Sequence, residues 1–130
     1  MTMKINDPTI VAEVQAAFER YESAFVTNDV AVLDELFVSD PSTLRYGVAE
    51  HQYGIDALRA YRKTVVPVDL RRRLGCTRIT TYGDDCGIAA TLFYRDRAPG
   101  KVGRQMQTWV RTDDGWRIAA AHVSVIDEPK

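Results

Sequence analysis

The sequence predicts an α+β fold in which helices come first and an antiparallel meander packs against them. Three observations carry that expectation. Apolar residues recur every three or four positions through the first half, they alternate with polar ones through the second, and the alternating runs are joined by loops too short for a crossover helix.

Asp7-Pro8 opens the first helix, the carboxylate capping free amides and the proline preset for the first turn. Ile10, Val14, Phe18, Tyr21 and Phe25 then form one apolar stripe. Asn28-Asp29 interrupts it and caps a short second helix carrying Val32, Leu33, Leu36 and Phe37, which Asp40-Pro41-Ser42 ends. Thr43 to Tyr46 and His51 to Tyr53 flank Gly47-Val48-Ala49-Glu50 as a short hairpin. After Gly54, a third helix bearing Ile55, Leu58, Tyr61 and Val65 stops before Pro67. Four strands follow: Leu70 to Tyr82, Cys86 to Arg95, Val102 to Thr112 and Trp116 to Ile126.

At 130 residues the chain is expected to form one domain over 1–130, long enough to bury its own core. A formal net charge of −1 argues against a nucleic-acid binder or a polybasic membrane module. With no apolar run of membrane-spanning length and no signal-peptide core near Met1, the expected compartment is the cytoplasm. In that reducing setting Cys76 and Cys86 read as two small buried thiols, neither a disulfide nor a zinc site.

The turn Thr112-Asp113-Asp114-Gly115-Trp116 fits a three-residue connection with the glycine left-handed. Strict alternation from that turn gathers Arg104, Met106, Thr108, Val110, Trp116, Ile118, Ala120, His122 and Ser124 on one face, assigned to the interior. Gln105, Gln107, Trp109, Ala119 and Ala121 fall on the other face, assigned to the cover of a second subunit.

Tyr21 lies on the helix stripe, so its ring points at the sheet and its hydroxyl needs a partner there. Two readings stay open, a satisfied core tyrosine and a functional one, and the same choice applies to His122. Arg45 takes the opposite face of its strand from Leu44 and Tyr46, and a lone arginine there is ordinarily solvated. In Arg71-Arg72-Arg73 alternation sends Arg72 away from its neighbours, and a solvated or dimer-edge role is expected. Nucleophile-elbow, phosphate-loop, dinucleotide and zinc-protease motifs are all absent, so any reaction is expected to run on side chains, with no cofactor and no metal.

The order of elements, with Tyr21-Glu22-Ser23-Ala24, Asn28 to Leu33 and Gly115 to Ser124, resembles the SnoaL-like branch of the nuclear transport factor 2-like superfamily. Three segments, Asp40 to Gly47, Tyr53 to Arg62 and Gly103 to Arg111, resemble a narrower group, the AtzH-like proteins of cyanuric acid and oxalurate catabolism. That resemblance implies a cone-shaped, cystatin-like fold with an interior pocket, commonly dimerised through the outer sheet face. It implies a small enzyme that hydrolytically decarboxylates 1,3-dicarboxyurea toward allophanate, beside an amidase. Tyrosine and arginine, the expected active-site pair, map to Tyr21 and Arg45. Arg104, His122 and Ser124 are expected to bind substrate or orient the pair. Val65-Val66-Pro67-Val68 and Arg71-Arg72-Arg73 depart from the family's usual text. A binding module for small acids and a dimeric partner of an amidase are the alternatives that the same fold hosts.

Overall fold

The computed structural model describes residues 2–66 and 69–130. α1 (Pro8–Val26) starts as expected, with the Asp7 carboxylate accepting from the Thr9 N–H at 3.0 Å. α2 (Val30–Glu35) is capped by Asp29. β1 (Leu44–Tyr46) and β2 (His51–Tyr53) form the short hairpin, followed by α3 (Ile55–Thr64). The meander is β3 (Arg73–Tyr82), β4 (Cys86–Tyr94), β5 (Lys101–Thr112) and β6 (Gly115–Asp127). Pro67, expected to stop α3, lies outside the described residues. Among the described residues no helix is long and apolar enough to cross a membrane.

All six strands join one sheet in the order β2-β1-β6-β5-β4-β3. Every neighbouring pair is antiparallel except β1 with β6, which run parallel. The helices cover one face, and the core lies between: Val14, Phe18, Leu33, Leu58 and Ile118 are almost wholly buried there with both tryptophans.

The turn-end register of the last hairpin departs from expectation, and one residue is the cause. Thr112 pairs with Gly115, not Trp116, so the connection is one residue shorter than the sequence reading gave it. The pairing runs Arg111 with Trp116 and Trp109 with Ile118, then jumps to Thr108 with Ala120. Ala119 is the extra residue of a β-bulge, which bends the strand and breaks the alternation. Before the bulge Trp116 and Ile118 face inward; beyond it Ala121 and Val123 do. On β5 the inward set is therefore Gln105, Gln107 and Trp109, which are 6%, 1% and 0% exposed.

The face assignment from sequence is thus reversed for most of this hairpin. Gln105, Gln107, Trp109 and Ala121 belong to the concave face and cannot cover a second subunit, while Ala119 is spent in the bulge. Arg104, Met106 and His122 are exposed on the outer face, and Ser124 lies half-buried beside Arg104 there, its hydroxyl 3.2 Å from the Arg104 Nε that donates to it. Cys76 also departs from its expected burial. It is exposed at a second bulge, between Gly75 and Arg78 on the edge strand, while Cys86 is half-buried, and both are free thiols.

Candidate active site

A cavity of about 260 Å³ opens between α1, α3, the β1–β2 hairpin and the concave face of the sheet. Its helix side is apolar, with Phe25 and Leu33, and carries Tyr21. The Tyr21 ring stacks on Phe25 (6.1 Å between centres) and meets Phe37 edge-on (6.5 Å). Only 6% of the residue is exposed, and its hydroxyl has no hydrogen-bond partner among the described residues.

Arg45 reaches the cavity from β1, on the face shared by Ala121 of β6 and Gln52 of β2. It is not solvated. Its Nη1 donates to Glu50 and, at 3.2 Å, to the Gln52 Oε1, and its guanidinium lies 5.4 Å from the Tyr61 ring centre. The hairpin loop supplies the acid, Glu50, that pairs with Arg45 in place of solvent. Burial works against the Glu50 carboxylate, but the Arg45 hydrogen bond and charge outweigh it and hold the group below the usual carboxylate range. Burial and that carboxylate push the Tyr61 phenol upward.

Two further arginines complete the far wall, and one corrects an expectation: Arg72, read as solvated or at a dimer edge, is buried because α1 supplies Glu22 and two phenylalanine rings enclose its guanidinium. The Arg72 side chain is 1% exposed and grips Glu22 of α1 with Nε and Nη2 at 2.9 and 2.5 Å. Its guanidinium is sandwiched between Phe25 and Phe93, 4.2 and 4.7 Å from the ring centres. Phe93 can lie there because Gly103 stands opposite on β5; a Cβ at that position would meet the ring at 2.0 Å. Arg95, one alternation beyond Phe93, lines the same wall with its Nε buried and unpartnered. A fourth arginine, Arg62, comes from α3 and lies 8% exposed, with its Nε 3.7 Å from Asp34. Burial lowers its pKa, countered in part by Tyr21 nearby.

The signals for these residues were in the text. Arg62 follows Ile55 and Leu58 at the spacing that puts all three on one helix face, and alternation already turned Arg72 away from Arg71 and Arg73. Of the expected supporting residues none enters the cavity as foreseen. Arg104 and Ser124 lie outside it, and His122 borders it only from the outer face, 5.8 Å from the Tyr46 ring. Tyr21 and Arg45 do come together on its wall. Among the described residues no cluster of three His, Cys, Asp or Glu could hold a metal ion.

The sequence profile described as AtzH-like matches residues 3–129. The chain belongs to the AtzH-like family. A Pectobacterium atrosepticum protein of unknown function from the DUF3225 family is 52% identical over 95% of each chain, with a TM-score of 0.92. A cystatin-like fold protein from Burkholderia xenovorans is 49% identical over 98% of this chain and all of its own, with a TM-score of 0.94. A nuclear transport factor 2-like protein of Pseudomonas putida, 13% identical over 95% of this chain and 98% of its own at a TM-score of 0.79, shares the fold alone. No functionally curated protein matches the chain. The AtzH-like assignment and the cystatin-like fold agree with the expectation from the motifs.

Proposed function

We propose that this AtzH-like protein is an enzyme that removes a carboxylate from a urea-type dicarboxylate, converting 1,3-dicarboxyurea and water to allophanate and bicarbonate. The observation that carries the reading is a cavity wall of four arginines, of which Arg45, Arg62 and Arg72 face Glu50, Asp34 and Glu22 while Arg95 faces no acid among the described residues, with the Tyr21 hydroxyl beside them. Buried cations are costly unless they meet an anion, so an acceptor-rich ligand suits this wall.

In this reading Arg45, held in place by Glu50 and Gln52, seats the carboxylate next to the scissile bond through its remaining N–H groups. The Tyr21 hydroxyl gives its proton to the carbamate nitrogen as the C–N bond breaks and CO2 leaves. Arg62 stabilises the phenolate so formed. Water then adds to CO2 to give bicarbonate and returns a proton to Tyr21. The test is product formation: allophanate and bicarbonate appearing together from 1,3-dicarboxyurea, at a rate proportional to protein, supports the assignment. Tight binding of the dianion with no turnover would mark a binding module instead.

The protein works, we further propose, as a homodimer whose contact is the outer sheet face around Met106, which is 55% exposed. Light scattering at micromolar concentration tests this; a monomer there refutes it, as does a dimer unaffected by Met106→Arg.

A further inference from the structure

The cavity wall divides into two groups of charge. Arg45 and Arg62 face Glu50 and Asp34, whereas Arg72 is paired with Glu22 and shares the Phe25 and Phe93 rings with Arg95. Arg45 lies in the row Arg45–Ala121–Gln107–Ala89, whereas Gln105 stands two residues further along β5 and Arg95 six residues further along from Ala89, so the two groups are set apart along the strands as well as across the sheet.

The second corner is built to donate. Arg72 spends its charge on Glu22 but also donates from Nη2 to the Gln105 Oε1 at 3.1 Å. That contact fixes the amide: turned over, the NH2 group would face the guanidinium, donor against donor. With the carbonyl so occupied, Gln105 is left with its NH2, and this Nε2 is buried with no partner. The Arg95 Nε is likewise buried and unpartnered, and Arg95 forms no ion pair among the described residues; its guanidinium rests only on Phe25 and Phe93. Buried donors without acceptors are rare in folded proteins and mark a place where an acceptor is missing. Next to it, the Gln107 Oε1 accepts from the Trp109 Nε1 at 3.1 Å.

We infer that Arg95 and Gln105, with Arg72 as the residue that orients the amide, form a second carboxylate seat, opposite the Arg45 seat, which makes the cavity selective for short two-ended dianions over monoanions. This rests on the proposed anionic ligand and adds which residues read its far end. Arg95 and Gln105 are the specificity-determining pair; Arg72 is a positioning residue.

The experiment is calorimetric titration of the full chain with two stable probes of equal length, glutarate and its one-charge counterpart pentanoate. The wild-type chain is expected to bind glutarate at least about tenfold more tightly. Gln105→Glu keeps an acceptor for Arg72 and replaces the free NH2 by an anionic oxygen; Arg95→Met keeps the stem against the two phenylalanines and removes the charge. Each should weaken glutarate about 10- to 100-fold and change pentanoate by less than about threefold. A melting temperature near that of the wild type qualifies a variant, and either one carries the test alone. Equal losses for both probes, or glutarate binding left intact, overturn the second seat while the Arg45 end still stands. A wild-type chain that binds neither probe, yet turns over 1,3-dicarboxyurea, also overturns it without touching the proposed reaction. Absence of both binding and turnover removes the two readings together.

Discussion

Removing one oxygen atom separates a functional Tyr21 from a structural one. Tyr21→Phe keeps the stacking on Phe25 and the edge contact with Phe37, so the packing of α1 against the core is unchanged. Among the described residues the hydroxyl has no hydrogen-bond partner whose loss would weaken the fold. Stability should therefore stay within about 1 kcal/mol of the wild type, a shift of about 4 °C or less in melting temperature for a domain of this size. The chemical step depends on the same atom. Loss of a positioned proton donor should lower kcat about 100-fold or more, about 2.7 kcal/mol in the barrier, with a smaller change in KM. Tyr21→Ala calibrates the scale, because it also removes the ring and should destabilise by about 3–5 kcal/mol. The assay pairs calorimetric melting with initial rates of allophanate formation. A Tyr21→Phe protein that loses several kcal/mol of stability would make the tyrosine a packing residue, and one with full turnover would remove it from the mechanism.

Arg45→Met retains an apolar stem over Tyr61 and deletes the charge; glutarate binding should weaken by about 30-fold to several thousand-fold, and unchanged affinity in a calorimetric titration refutes the Arg45 seat. Trp109→Ala empties a fully buried site and should cost about 3–5 kcal/mol in chemical denaturation; a mild loss accompanied by dissociation of a dimer would return Trp109 to an interface. Glu50 is held below its ordinary value of 4.5, so its pair with Arg45 contributes stability above that pH, and the contribution is lost as pH falls through the lowered value. Glu50→Gln should thus be the less stable protein at neutral pH and should converge on the wild type in acid; parallel melting curves from pH 7 to 3 would refute the pairing.

The helices were legible because their signals are local. Asp7-Pro8 and Asp29 cap what they were expected to cap, and the stripe from Ile10 to Tyr21 is the buried face of α1, which Ala24 continues while Phe25, expected to end it, is half-buried. The hairpin at Leu44 to Tyr53 and the order of the meander followed from loop lengths in the same way. Inside and outside along β5 and β6 were not legible. A bulge is a long-range adjustment of one strand to its neighbours, and nothing in Ile118-Ala119-Ala120-Ala121 marks which alanine is the extra one. The site followed the same division. Tyr21 could be placed because it rides the helix stripe. Glu50 meets Arg45 only through the fold of its loop, and Arg95 gains its meaning from Phe93 of β4, Gly103 of β5 and Arg72 just ahead of β3, which the sheet brings together.

The single unpaired alanine in β6 also sets how that strand tolerates change. Between the turn and the bulge the positions that reject a charged residue are the even ones, Trp116 and Ile118; past it they are the odd ones, Ala121 and Val123, which wall the cavity. Intolerance along the strand thus has a phase, and the phase slips by one at Ala119. Losing Ala119 from the chain straightens the strand without exchanging its two sides, since Ile118 and Ala121 remain inward on either side of the gap. Losing Ala120 or Ala121 gives the same chain as losing Ala119, whereas losing Trp116, Arg117 or Ile118 removes a residue whose side the turn has already set. Length variation in this strand is therefore confined to the alanine run, which leads directly into the Ala120–His122 stretch that pairs with β1 beside Arg45.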